Sequence, residues 1–132
     1  MKVLIIDGQG GKLGAGLVSA VKENYPQATL TAVGTNAIAT AAMLKAGATQ
    51  GATGENPVIV ASRKADVILG PVGIVTADAL LGEITPAMAA AIGSANARKI
   101  LIPMNRCEFR VVGVKELTMN EYIALAIKEI EA

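Results

Sequence analysis

Asp7-Gly8-Gln9-Gly10-Gly11-Lys12-Leu13-Gly14 gathers four glycines, a lysine and a carboxylate into one short stretch. It lies between an apolar run, Lys2–Ile6, that reads as a buried strand and a periodic stretch that reads as a helix. A helix opening directly after such a turn aims unpaired backbone N–H groups and a partial positive charge across the loop, and Lys12 adds a full charge. That is the chemistry of holding a phosphate. The spacing is G-x-G-G-x-x-G, so Leu13 stands where the dinucleotide fingerprint G-x-G-x-x-G has its third glycine. It is not a Walker A loop either, because Gly11-Lys12 is followed by Leu13 instead of Ser or Thr. The alternative is a tight turn with close helix–strand packing and no ligand.

The later loops supply the other candidates. Thr35 and Asn36 follow the second apolar run, where a nicotinamide dinucleotide site places an acid about 20 residues beyond its glycines. Neither residue is acidic, and no arginine stands nearby to read a 2′-phosphate. The expectation therefore moves from NAD toward a mononucleotide or phosphorylated metabolite, with Thr35 and Asn36 on the sugar or simply capping the next helix. Gly70-Pro71-Val72-Gly73 and Pro103-Met104-Asn105-Arg106-Cys107 end two further strands, and Gly70, Pro71, Gly73 and Asn105 are expected to close the far wall. Asp7 could orient a ribose, bind Mg²⁺ or act as a base. The simpler reading is a turn aspartate accepting from backbone amides ahead of it. Arg106 could lower the pKa of Cys107, although a lone cysteine reads first as a small, partly buried residue. Glu55, Asp78 and Glu83 lie near expected helix starts, where a carboxylate stabilises a helix without doing chemistry. No nucleophile–base pair is visible, so no catalytic residue is assigned.

Composition narrows the classes further. The 132 residues fit one domain, and 52% hydrophobic against 17% charged residues excludes disorder. Twelve basic against eleven acidic side chains leave a net charge of +1 without clusters, which argues against nucleic-acid and anionic-membrane partners. There is no histidine, which removes imidazole acid–base catalysis and imidazole metal sites. The single cysteine excludes an internal disulfide and a structural zinc site, and fits a reducing, cytoplasmic setting. No signal peptide is visible, and the apolar stretch from Val67 to Ala77 is far shorter than the ~20 residues of a membrane span. Only Tyr25, Phe109 and Tyr122 are aromatic, few for a flavin or a single-stranded nucleic acid to stack on.

The elements that position these loops alternate. Strands are expected at Lys2–Ile6, Thr29–Val33, Asp66–Leu69, Lys99–Ile102 and Phe109–Val114. Helices are expected from about Gly11 to Asn24, over Ala37–Ala46, from Glu55 to Lys64, over Thr76–Leu81, from Thr85-Pro86 onward, and after the capping box Thr118-x-x-Glu121. The helix AIATAAMLKA is apolar on all sides, which suggests burial in a subunit interface and hence a homo-oligomer. GATQGATG carries no assignable pattern. The result is a single Rossmann-like α/β domain over residues 1–132, with a mainly parallel sheet of about five strands and helices on both faces.

The pieces IDGQGG, AVGTN, MLKAGA, GATGEN, GPVGI, LLGEITPAMA and ILIP together resemble a family of short, mostly bacterial proteins catalogued only as a domain of unknown function. The resemblance runs over nearly the whole chain and implies a small, standalone, cytoplasmic Rossmann-like protein. It carries no activity, substrate or catalytic residue. The residues alone lead to a small nucleotide- or phosphometabolite-binding protein using Gly8, Gly10, Gly11, Lys12 and Gly14. Two alternatives remain open: an NAD(P)-dependent enzyme, and a regulatory or structural oligomer without a small ligand.

Overall fold

The computed structural model describes residues 1–104 and 110–132. In chain order the elements are β1 (Lys2–Asp7), α1 (Lys12–Asn24), β2 (Thr29–Gly34), α2 (Ala37–Ala46), β3 (Gln50–Thr53), α3 (Glu55–Lys64), β4 (Val67–Pro71), α4 (Pro86–Ser94), β5 (Arg98–Ile102) and α5 (Met119–Glu129). A single 3₁₀ turn, Val72–Val75, follows β4.

All five strands run parallel in the order β3-β2-β1-β4-β5. Parallel strands need crossovers, and the helices supply them on both faces of the sheet. Side chains alternate along β1, so its apolar run feeds two cores. Val3 and Ile5 pack with Leu13, Leu17 and Val21 of α1, Met43 of α2 and Ile123 of α5. Leu4 and Ile6 pack on the opposite face with Val58 of α3 and with Met88 and Ile92 of α4. The direction of strand addition reverses between β1 and β4, and the carboxyl ends of these strands border the crevice where such sheets receive ligands.

The structure corrects three expectations. The fifth strand is Gln50–Thr53, inside the unassigned GATQGATG, and it pairs with Thr31–Gly34 of β2. Arg110–Val114 is not a strand, and Val112 is 98% exposed; Phe109 lies outside the described residues. Thr76–Leu81 is not a helix but a run of turns. The helix α2 is also not enclosed on all sides in this chain. It buries Ala39, Thr40 and Met43, while Ile38 and Leu44 face outward.

The edge strand β5 anchors the two helical layers. Arg98 Nη1 donates to the carbonyls of Glu129, Ile130 and Ala132 at 2.9, 3.2 and 2.6 Å, at the end of α5. Lys99 Nζ donates to the carbonyls of Gly93 and Ala95 at 3.1 and 2.7 Å, at the end of α4. Cations at helix C-termini satisfy orphan carbonyls and complement the dipole.

Leu17 has no exposed surface and sits at the centre of the core under α1. Leu17→Ala is expected to lower the unfolding free energy by about 2–5 kcal/mol, through lost transfer energy plus a residual cavity. Urea denaturation should show a lower midpoint at unchanged slope.

Candidate functional site

β1 ends on Asp7, whose buried carboxylate turns back onto the loop that follows. Asp7 Oδ1 accepts from the Gly8 N–H at 2.8 Å, and Oδ2 accepts from the Gly14 N–H at 2.7 Å. The carboxylate thus holds the start of the loop and the first turn of α1 together. Gly14 permits the approach: a Cβ there would lie 2.6 Å from Met43 Sδ and 2.7 Å from Asp7 Cβ. Gly11 caps α1 in the left-handed region at φ 73°, with its N–H donating to the Gly8 carbonyl at 2.9 Å. A Cβ on Gly11 would also meet the backbone of Ala39. Gly8 is crowded by Thr35, Glu83 and Leu80. Packing or conformation therefore accounts for Gly8, Gly11 and Gly14.

Gly10 differs from these three. It has no positive φ, and a Cβ there would meet nothing within 4 Å. Among the described residues, the backbone N–H groups of Gly10, Lys12 and Leu13 have no acceptor, and the Lys12 side chain is exposed beside them.

A second carboxylate reaches the loop from a distant segment. Glu83 Oε1 accepts from the Gln9 N–H at 2.9 Å, from Thr35 Oγ1 at 2.5 Å and from Asn36 Nδ2 at 2.9 Å. The Asn36 side chain also caps α2 by accepting from the Ala39 N–H at 2.9 Å, and donates to the Gln9 carbonyl at 3.0 Å. Glu83 is therefore not the helix-start carboxylate expected from its position; it ties the ends of β1 and β2 to the turns after β4. Sequence reasoning missed this role. Nothing local in the sequence points to partners 47 to 74 residues away.

The segment carrying Glu83 is held in an unusual shape. Asp78, Leu80 and Leu81 all have positive φ, at 65°, 57° and 56°. Each such conformation costs a bulky L-residue about 1–3 kcal/mol and persists only where the surroundings impose it. Here Leu80 and Ile84 are buried in the core under α4, and the Asp78 N–H donates to the Ile84 carbonyl at 2.7 Å.

The two carboxylates behave oppositely. Burial pushes the Asp7 pKa above its ordinary value; hydrogen bonds from Gly14 and Gly8 counteract this only partly, and the charge of Glu83 adds to the rise. For Glu83, desolvation opposes ionisation, but hydrogen bonds from Thr35, Gln9 and Asn36 together outweigh it and the pKa is lowered. Glu83 thus contributes stability above its ordinary 4.5, which is lost as pH falls through the lowered value.

Across the crevice, Gly70, Pro71 and Gly73 are buried where β4 gives way to the 3₁₀ turn, and Gly70 packs against the Ile6 carbonyl. Asn105, Arg106 and Cys107 lie outside the described residues. No group of three His, Cys, Asp or Glu that could hold a metal occurs among the described residues. A groove of about 510 Å³ opens elsewhere, between α3 and the strands, lined by Val3, Thr31, Val33, Ala52 and Val60. It is largely apolar and runs along the sheet face under α3, from Thr29 to Val33 and Ala52 near the carboxyl ends of β2 and β3, whereas the glycine loop gathers the convergent polar groups that decide the choice of site. No helix among the described residues is long and apolar enough to cross a membrane.

A family model described as a domain of unknown function (DUF3842) matches residues 2–132. No curated protein matches the chain. Among solved structures, the chain is similar to a dodecameric FMN-dependent UbiX-like decarboxylase from Escherichia coli O157:H7. Identity is 18%, with a TM-score of 0.48, over 99% of this chain and 76% of that one.

Asp7→Asn tests the clasp between β1 and α1. An amide can accept only one of the two N–H groups, so stability should fall by about 1–3 kcal/mol. The pH profile supplies a second readout. A raised folded pKa contributes stability below the ordinary 3.8, and this is lost as pH rises through the raised value. The variant should lack that segment of the curve in pH-dependent denaturation. Wild-type stability with an unchanged profile would contradict the assignment.

Proposed function

The chain belongs to the DUF3842 family, and from its own geometry we propose that it binds a small phosphate-bearing ligand, a nucleotide or phosphorylated metabolite, at the loop between β1 and α1. One observation carries this reading. Gly10 is the loop glycine that neither backbone conformation nor a neighbouring atom requires, and it lies beside the amides of Lys12 and Leu13, which have no acceptor among the described residues. A phosphate would use these amides, the partial positive charge of α1 and the Lys12 ammonium together.

Gly8, Gly11 and Gly14 shape the loop on this reading. Thr35 and Asn36 contact the sugar, and Gly70, Pro71 and Gly73 form the opposite wall. We also read the protein as a cytoplasmic homo-oligomer. The support for assembly is the outward face of α2, where Ile38 is 72% and Leu44 42% exposed.

A thermal-shift panel of inorganic phosphate, AMP, ATP, NAD, NADP, FMN and S-adenosylmethionine tests the site. A ligand at about 100 times its Kd stabilises the fold by roughly 2.7 kcal/mol, which raises the melting temperature by roughly 10 °C at this size. Gly10→Val should melt like wild type without ligand, because a Cβ at that position meets nothing within 4 Å, and should lose the ligand-induced shift. A flat panel, or full binding by Gly10→Val, would overturn the assignment.

A further inference from the structure

We propose that Glu83 is an internal latch: its carboxylate rests on the donors Gln9 N–H, Thr35 Oγ1 and Asn36 Nδ2, and an arriving phosphate group displaces it. The inference rests on the phosphate-binding reading above and adds its regulation.

Three observations carry it. First, a single oxygen, Glu83 Oε1, takes hydrogen bonds from the glycine loop and from both residues after β2, at 2.9, 2.5 and 2.9 Å. A built anion seat is thus filled by the protein's own carboxylate. Second, the seat includes the N–H of Gln9, the residue before Gly10, so a phosphate on the Gly10 amide would stand beside the Glu83 charge. The buried Asp7 carboxylate also lies close enough to Glu83 for the two charges to repel. Two anions cannot share that space without one leaving or being neutralised. Third, the backbone around Glu83 is fixed, with the Gly82 N–H donating to the Asp78 carbonyl and the Glu83 N–H to the Leu80 carbonyl, both at 3.1 Å, whereas the Glu83 side chain is only half-buried. Ala79, Leu80 and Ile84 are buried, whereas Leu81 is 94% exposed and a Cβ on Gly82 would meet nothing within 4 Å. Rotation of the Glu83 side chain clears the seat without moving that backbone. Thr35 and Asn36 then become able to meet the sugar of the same ligand.

A site that is competent for only a fraction of the time binds with an affinity reduced by that fraction. Removing the carboxylate should therefore tighten binding while exposing the Gln9 amide. The test is isothermal titration of wild type, Glu83→Ala and Glu83→Gln with inorganic pyrophosphate and with AMP, alongside amide hydrogen exchange at Gln9. Glu83→Ala should bind at least about tenfold more tightly than wild type, and its Gln9 amide should exchange faster. Glu83→Gln retains an acceptor oxygen without the charge, should fall between the two, and serves as the test if Glu83→Ala does not fold. Wild-type binding that is unchanged or weakened in both variants would overturn the latch, making Glu83 a static tie or a ligand contact, but would leave the phosphate site standing. No binding of either probe by any of the three proteins would remove the phosphate site and the latch with it.

Discussion

The arrangement around the crevice depends on the Asp7 carboxylate accepting from the amides of Gly8 and Gly14. β1 is apolar on both faces, so hydrophobic alternation alone does not set its register. Polar contacts at its two ends do. Besides Asp7, the Lys2 N–H donates to Asp66 Oδ2 at 2.7 Å. With Asp7 in place, α1 must begin close above the end of the strand. Gly14 has to be a glycine for that approach, and Met43 of α2 packs against the same spot. One buried acid thereby positions the loop, the first helix and, through Met43, the second.

Much of this was legible in the sequence because it is local. The strand before the glycines, the aspartate turned onto amides ahead of it, and Asn36 and Thr118 as helix caps all depend on neighbours a few residues away. The failures share a cause as well. Gln50–Thr53 has no buried residue and is a strand only because its backbone pairs with β2, which no side-chain pattern encodes. Phe109-Arg110-Val111-Val112 has strand propensity, yet its described part is left outside the sheet. The turns after β4 contain good helix formers, but burial of Leu80 and Ile84 imposes left-handed conformations that propensity disfavours. Tertiary anchoring overrode local preference there, and the role of Glu83 follows from that override.

The candidate site therefore combines two kinds of electrostatics in a small volume. Backbone amides and Lys12 make the mouth of the loop attractive to an anion, while Asp7 below and Glu83 alongside keep negative charge near it. Thr35 and Asn36, assigned to a sugar on sequence grounds, are engaged by a carboxylate from across the sheet. That acid comes from the far side of the topological switch point, so the two halves of the crevice meet through one side chain.

The consecutive Arg98 and Lys99 at the start of β5 have a mechanical consequence. Because neighbouring side chains on a strand point to opposite faces, one reaches the end of α5 and the other the end of α4. An edge strand with few partners is ordinarily a place where a sheet begins to peel, ahead of global unfolding. Here peeling would also strip the terminal carbonyls of a helix in each layer. The margin of the sheet and the tips of two helices on opposite sides are thus coupled into one cooperative unit, and fraying at any of them is opposed by the other two.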